Sequence, residues 1–111
     1  MQEITLETDR KTQLVDITKQ VQAAVADANG ARAALVYVPH TTAGVTINEH
    51  ADPLVAQDLE NAPSHPRASL MGPHVLVPLR DGALALGTWQ GIFLCEFDGP
   101  RTRSVYVTVL Q

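Results

Sequence analysis

The chain has 111 residues, of which 45 % are hydrophobic and 18 % charged, and its formal net charge is −4 at pH 7. These values predict one compact domain over residues 1–111 with its own core, and they argue against a disordered protein. The net negative charge argues against binding nucleic acid or an anionic membrane through a general basic surface. A domain of this size hides little of its surface, so self-association is a reasonable way to bury more.

The single cysteine, Cys95, excludes a disulfide within the chain and suits a reducing cytoplasm. It lies among Phe93 and Phe97 at strand spacing, so we interpret it as a buried hydrophobe and not as a nucleophile. The first ten residues lack the basic start and apolar run of a signal peptide, and no apolar stretch approaches the roughly 18 residues of a membrane span. We therefore expect a cytoplasmic protein.

The first part of the chain predicts a strand followed by a helix. Ile4 and Leu6 alternate with polar residues, which is typical of a strand with one buried face. Apolar residues then recur at helical spacing over residues 17–28. Asp16 can cap the start of this helix, and Asn29-Gly30 offers a left-handed stop.

The middle of the chain predicts two strands, over residues 33–40 and 43–50. Asp52-Pro53 combines an N-cap with a proline in the first helical turn, so a short helix is predicted from Pro53 to about Glu60. Residues 62–73 contain three prolines and a glycine, which predicts a loop.

The C-terminal part predicts β-structure. Asp81-Gly82 is a tight-turn signal between two apolar runs, and Asp98-Gly99-Pro100 predicts a second turn before the last strand. Helices do not alternate with strands in this part of the chain, which argues against an α/β fold with a parallel sheet. The sum predicts an α+β fold: a mostly antiparallel, β-sandwich-like sheet system with one main helix and one short helix.

All four histidines lie between positions 40 and 74, and histidine both binds metals and moves protons near neutral pH. His40 follows a buried strand at a proline break, and His65 lies in a loop between Ser64 and Pro66. These positions are typical of functional side chains that a rigid scaffold presents. The alternative is a set of loop histidines that bond to backbone, because no recognised zinc spacing is present.

Hydroxyls and a glycine near these histidines could hold an anion. Thr41 and Thr42 follow His40 directly and could donate to a phosphate or orient the ring, although they could equally cap a turn. Ser69 and Gly72 surround a backbone bend whose N–H groups could form an anion nest. A glycine bend of this kind is more often a simple turn.

One strand, within LGTWQGIFLCEFDGPRTR (residues 86–103), carries an unusual number of polar groups. With a period of two, Glu96 shares a face with Ile92 and Leu94. A carboxylate on a partly apolar face needs a partner, and Arg101, Arg103 or a histidine could supply it. The alternative is a charge on an edge strand in water.

Three stretches together resemble the YjbQ-like family of small bacterial and archaeal proteins: HTTAGVTINE (40–49), ASLMGP (68–73) and LGTWQGIFLCEFDGPRTRSV (86–105). They occur in the family's order, and the resemblance covers nearly the whole chain. It implies a β-rich α+β subunit, often a homotrimer, with weak secondary thiamine-phosphate synthase activity. That reaction joins hydroxymethylpyrimidine diphosphate to a thiazole phosphate and releases pyrophosphate, which suits a site that holds phosphates, often through a divalent ion.

The resemblance also implies site residues, which we assign as predictions. Catalytic roles are predicted for His40, His65, Glu49 and Glu96. Contacts to a small phosphorylated substrate are predicted for Thr41, Thr42, Ser69, Gly72, Gln90 and Arg101. A divalent metal, zinc or magnesium, is predicted at His40 and His65 with His50 or His74 as a further ligand. The alternative for Arg101 is an ion pair with Asp98. For the whole protein the alternatives are a metal- or phosphate-binding trimer without efficient catalysis and a purely structural trimer whose polar residues hold its interface together.

The chain departs from the family in one segment. Family members usually have a longer stretch between the equivalents of Pro53 and Asn61, and it commonly contains another histidine, whereas only LVAQDLE lies there in this sequence. The metal set expected from the resemblance is therefore short by one ligand, and His50 or His74 could replace it.

Overall fold

The computed structural model describes residues 1–49 and 71–111. Within these ranges the chain forms eight strands and one helix. In chain order they are β1 (Gln2–Glu7), β2 (Gln13–Asp16), α1 (Thr18–Val25), β3 (Ala33–Tyr37), β4 (Ala43–Glu49), β5 (His74–Arg80), β6 (Ala83–Leu84), β7 (Gln90–Glu96) and β8 (Thr102–Leu110).

The strands form two sheets in which every pairing is antiparallel. One sheet has the order β1-β8-β3-β5-β6 and the other the order β2-β7-β4. The described residues thus have the predicted α+β fold of mostly antiparallel sheets with a single helix. The short helix predicted from Pro53 to about Glu60 lies outside the described residues.

The core lies between the two sheets and is closed by α1. Valines of β3, β5 and β8 point toward residues of β4 and β7, and the apolar stripe of α1 covers the same core. Burial of this kind is the main stabilising contribution in a domain of this size. The buried side chains of this core, each at most 3 % exposed, are Ile17, Val21, Val25, Ala34, Val36, Val38, Ala43, Val45, Val77, Ile92, Leu94, Val105 and Val107.

Strand β7 is buried on both faces, which explains its continuous apolar sequence. Ile92 and Leu94 join the main core, while Cys95 and Phe97 form a second cluster on the opposite face. The interpretation of Cys95 as a buried hydrophobe is confirmed, because its side chain is fully buried and burial raises the pKa of its thiol to about 12. Such a thiol stays protonated at neutral pH and is a poor nucleophile.

Helix α1 is shorter than the sequence predicts. The Asp16 carboxylate accepts hydrogen bonds from the backbone N–H of Thr18 at 3.0 Å and from its hydroxyl at 2.6 Å, so Asp16 supports the helix start as expected. The helix ends at Val25, because Ala26 and Ala28 donate to carbonyls three residues back and the chain tightens into turns. Gly30, with φ +76°, supplies the predicted left-handed residue.

The turn between β5 and β6 has the predicted left-handed residues, with φ +54° at Asp81 and +79° at Gly82. The returning strand β6 has only two residues. The side chain of Gln22 on α1 binds this hairpin: its amide donates to the Gly82 carbonyl at 3.1 Å, and Leu84 N–H donates to its oxygen at 2.9 Å. The helix therefore fixes the hairpin by side-chain bonds where strand pairing is short.

The five-stranded sheet exposes an apolar surface on the side away from the core. Alternation along β3, β5 and β8 turns five leucine and tyrosine side chains outward, and we call these five the outer sheet face. Two of its tyrosine rings stack with centroids 6.4 Å apart. Three of its members are 41 %, 56 % and 41 % exposed, namely Tyr37, Leu76 and Leu110. The complete set is Leu35, Tyr37, Leu76, Tyr106 and Leu110.

Helix α1 has eight residues, whereas a helix that spans the membrane needs about 20. In the part of the chain that the structure describes, no helix has the length and apolar character that a bilayer crossing requires.

Candidate functional site

An ion pair lies inside the protein at the end of β7. Glu96 is 0 % exposed and Arg103, on the neighbouring sheet, is 4 % exposed. The Arg103 Nε–H donates to Glu96 Oε1 at 2.8 Å, and Nη2 donates to Oε2, so the contact is bidentate. The partner predicted for Glu96 is thus Arg103, and the alternative of an edge-strand charge in water is wrong.

Two further donors saturate the Glu96 carboxylate. The Thr8 hydroxyl donates to Oε1 at 2.6 Å, and the backbone N–H of Asp98 donates to Oε2 at 3.1 Å. Burial alone would raise the pKa of this carboxyl. The hydrogen bonds from Arg103, Thr8 and Asp98 outweigh burial and hold the pKa of Glu96 below its usual value. Glu96 is therefore ionised at neutral pH and has no free lone pair with which to take up a substrate proton.

The turn over residues 98–101 closes tightly around this carboxylate. A Cβ added to Gly99 would lie 2.3 Å from the Arg10 carbonyl oxygen, 2.8 Å from Thr8 Oγ1 and 2.9 Å from Glu96 Cγ. Only glycine allows this approach, and the following bond to Pro100 is cis. The end of β1 thereby reaches the end of β7, and Thr8 becomes a partner of Glu96.

His40 lies beside the ion pair at the point where β3 leaves β8. Its Nε2 accepts the backbone N–H of Ser104 at 2.9 Å, so the ring continues the β3–β8 ladder beyond Pro39. Partial burial lowers the pKa of His40, and the nearby Arg103 charge lowers it further, against weaker opposing effects. The ring is therefore neutral at pH 7 with its proton on Nδ1.

This bond limits what His40 can do. A neutral imidazole has one nitrogen lone pair, and here the Ser104 N–H occupies it. To bind a metal, the ring would have to release Ser104. Among the described residues, no three histidine, cysteine or acidic side chains come together as a metal site.

We expect stability to fall as the pH drops below 7, partly through His40. Because its folded pKa lies below the ordinary value of 6.5, the unfolded chain binds more protons in this range. The stabilising contribution of neutral His40 is present above pH 6.5 and is lost as the pH falls toward the pKa of His40 in the folded protein. Urea unfolding of the wild type and of His40→Gln tests this, since glutamine can accept the Ser104 N–H but does not titrate. Equal losses in both proteins would assign the effect to other groups.

The structure places the other predicted residues at several separate positions. Thr42 joins the buried cluster, where its hydroxyl and carbonyl oxygens accept from Arg103 Nη2 at 2.8 and 3.3 Å. Thr41 is exposed beside it. Glu49 and Gln90 face each other at the far ends of β4 and β7, and both are exposed. His74 pairs with Tyr37 on the exposed side of the five-stranded sheet, apart from the buried cluster.

Gly72 lies just before β5 and has φ +83°. Its carbonyl accepts the Val45 N–H at 3.1 Å, and this hydrogen bond connects the start of β5 to β4. His50, His65 and Ser69 lie outside the described residues. Their predicted roles as metal ligands, catalytic residue and phosphate contact therefore stay predictions.

Arg101 forms the ion pair with Asp98 that was the alternative to phosphate binding. Its Nη2 lies 2.9 Å from Asp98 Oδ2, and its Nε donates to the Asp98 carbonyl at 2.8 Å. Arg101 also lines a small pocket of about 230 Å³ together with Glu7, Thr8, Pro100 and Thr102. The carboxylate of Glu7 in this pocket opposes an anionic ligand.

Sequence reasoning left the partner of Glu96 among three choices and missed Thr8. A signal for Arg103 was present, because Arg103, Val105 and Val107 alternate along β8 and all three are buried. A charged side chain on the same strand face as buried valines needs a buried partner of opposite charge. Thr8 carries no such signal, since it is 88 positions from Glu96 in sequence.

The family model described as "UPF0047 protein YjbQ-like" matches residues 2–62 and 60–111, which together cover nearly the whole chain. This chain belongs to the YjbQ-like UPF0047 family. UPF0047 protein YugU from Bacillus subtilis is 39 % identical over 125 residues, covering 95 % of each chain. A UPF0047 protein from Archaeoglobus fulgidus is 42 % identical, covering 97 % of this chain and 99 % of its own.

Solved structures agree with this membership. A structural-genomics target from C. acetobutylicum superimposes with a TM-score of 0.90 at 44 % identity and covers 98 % of both chains. A YbjQ-like protein of unknown function from Sulfolobus solfataricus gives a TM-score of 0.88 at 32 % identity, covering 97 % of this chain and 94 % of its own.

This family member is short in one place, as the sequence predicts. The alignment with YugU extends over 125 residues, more than the 111 of this chain. The two matched segments of the family meet at residues 60–62, which locates the missing residues near the segment predicted to be short.

The expectation of thiamine-phosphate synthase activity is corrected by these comparisons. The relatives carry only the UPF0047 family designation, and the Sulfolobus solfataricus structure is described as a protein of unknown function. Nothing in these names supports a reaction of thiamine-phosphate synthesis, and we withdraw that function for this chain.

Proposed function

We propose that this YjbQ-like chain functions as the subunit of a homotrimer whose subunits associate through the outer sheet face. The observation that carries the proposal is the exposure of large apolar side chains on one sheet surface, with Leu76 at 56 % and Tyr37 and Leu110 at 41 % each. Monomeric soluble proteins rarely leave such side chains contiguous on one face, and extended apolar patches mark association sites.

The surroundings of this face also support association. Strand β1 borders it and presents Glu3, which pairs with Tyr106 across the strands and accepts the Ser104 hydroxyl at 3.2 Å. An apolar centre with aromatic rings and a polar margin is the usual composition of a protein interface. A chain of 111 residues also gains proportionally more from such burial than a large domain would.

The proposal retains a small phosphorylated molecule as the ligand of the trimer and the cytoplasm as its location. Support for the ligand comes from the buried Arg103 guanidinium, which precedes the Ser104 N–H that binds His40, and support for the location comes from the single, unpaired and buried Cys95. The divalent ion predicted at His40 and His65, with His50 or His74 as a further ligand, stays a prediction, because His50 and His65 lie outside the described ranges.

Sedimentation velocity tests the assembly. We expect the wild type to sediment at three times the chain mass of 12.0 kDa. Leu76→Asp introduces a charge at the most exposed leucine of the outer sheet face and should shift the protein toward monomer at equal concentration. Gln20→Asp, on an exposed position of α1, is the matched control and should remain trimeric. A monomeric wild type, or a Leu76→Asp variant that stays trimeric, would contradict the proposal.

A further inference from the structure

Arg103 keeps unused hydrogen-bond donors in a nearly dry environment. Its Nε and Nη2 bind Glu96 and Thr42, as described above, but Nη1 has no hydrogen-bond partner among residues 1–49 and 71–111. The side chain is only 4 % exposed. Leaving a charged donor unpaired inside a protein is unfavourable, so native structures usually give such a group a partner.

Two other donors adjoin this arginine. His40 carries its ring proton on Nδ1, because Nε2 accepts from Ser104, and Nδ1 has no partner in the described part of the chain. The Thr42 hydroxyl accepts from Arg103 Nη2, so its own hydrogen remains available, and Thr42 is 8 % exposed. His40 binds the backbone N–H of Ser104, the residue after Arg103, and Thr42 contacts the Arg103 guanidinium directly, so the three side chains lie in one region of the protein.

The acceptors of this cluster, by contrast, are already used. Both oxygens of Glu96 receive two hydrogen bonds each, from Thr8, Arg103 and Asp98. The cluster thus offers donors and no free carboxylate lone pair. Such a site matches a group that only accepts hydrogen bonds, and carboxylates and phosphates are groups of this type.

We propose that Arg103 Nη1, the Nδ1–H of His40 and the Thr42 hydroxyl form a binding site for one oxyanion, a phosphate or a carboxylate. This assignment shares the phosphorylated ligand class of the proposed function but does not depend on trimer assembly. It differs from the phosphate contact predicted at Arg101, whose Nε and Nη2 bind Asp98 on the surface. Glu96 acts as a positioning residue that holds the guanidinium in place.

The geometry favours an anion over a metal at this end of the sheet. A cation would face the Arg103 charge and would have to displace Ser104 from the His40 lone pair. An oxyanion would instead pair the charge of Arg103 on the side opposite to Glu96. His40 is half-buried and Thr41 is exposed, so the cluster approaches the protein surface at these two residues.

Calorimetric titration with inorganic phosphate and, separately, with sodium acetate tests the site. Arg103→Lys keeps the charge but loses the planar donor fork, and we expect at least a tenfold loss of affinity, about the effect of one charge-assisted hydrogen bond. Thr42→Val should weaken binding several-fold while retaining side-chain shape. Arg101→Lys is the matched control and should bind like the wild type. The tighter of the two probes identifies the ligand class.

Nitrogen NMR of the His40 ring and the arginine Nε–H groups supplies the second readout and confirms that each variant is folded. On titration of the wild type, the His40 Nδ1 and Arg103 signals should shift together. Binding that survives in Arg103→Lys and Thr42→Val, or that is lost in Arg101→Lys, would overturn the site while leaving a phosphorylated ligand elsewhere. No binding of either probe by the wild type would overturn both the site and the ligand part of the proposed function, and the trimer would stand or fall by sedimentation.

Discussion

Replacing Arg103 by methionine is expected to lower the free energy of unfolding by about 3–5 kcal/mol, because it leaves the Glu96 carboxylate buried without its main partner. Glu96 is 0 % exposed and would retain only the Thr8 and Asp98 donors. Total stability of a small domain is about 5–15 kcal/mol, so this loss is a large fraction of it. Urea unfolding at pH 7 and fixed protein concentration measures the change.

Arg101→Met is the matched control for this experiment. It removes a guanidinium two residues away whose ion pair with Asp98 is exposed, with side-chain exposures of 55 % and 39 %. Exposed pairs contribute about 0.2–1 kcal/mol, so the control should lose little. Equal losses in the two variants would contradict a special role for the buried pair. The Arg103 variant should also recover part of its stability on Glu96→Gln, which removes the orphaned charge.

Gly99→Ala is expected to cost about 3 kcal/mol or more, at the upper end of the range for overpacking. The added methyl would lie 2.3 Å from the Arg10 carbonyl oxygen, and backbone on both sides would have to move. That movement also separates Thr8 from Glu96, so the carboxylate loses a donor. Thermal and urea unfolding give the loss, and the NMR signals of Thr8 and Asp98 should shift most.

Two other glycines separate the causes of this effect. Gly82 has φ +79° and open space around the added methyl, so Gly82→Ala reports backbone strain alone, about 1–2 kcal/mol. At Gly87 the methyl would meet only the flexible Gln90 side chain, at 3.3 Å or more, so Gly87→Ala should cost under about 1 kcal/mol. A loss at Gly99 no larger than that at Gly82 would refute the steric argument.

The sequence predicts the fold class correctly from its strands, because strands that bury one face or both faces leave a clear apolar pattern. Alternation at Ile4 and Leu6 and the turn at Asp81-Gly82 were sufficient to predict β1 and the β5–β6 hairpin correctly. Strand β2 was missed, because its four residues carry no turn signal or alternation that separates them from the helix start. The order of strands was not predictable, since pairing depends on contacts between distant segments that local periodicity does not encode.

The candidate site was predictable only in part. The structure brings His40 and Glu96 into one polar cluster. The sequence pointed to both residues, because one follows a strand at a proline and the other is a charge on an apolar face, and their catalytic roles stay predictions. The sequence could not predict that His40 Nε2 accepts a hydrogen bond, since the donor is the Ser104 N–H, 64 positions away.

The order of the strands has a consequence for synthesis of the protein. Strand β8 lies between β1 and β3 in one sheet, and strand β7 lies between β2 and β4 in the other. The last two described strands therefore complete both sheets. A nascent chain therefore holds β1, β2 and β4 without their sheet partners until β7 and β8 have been synthesised. Folding should be slowed by these long-range pairings, and a chain that lacks β7 and β8 exposes unpaired strand edges on which chaperones act.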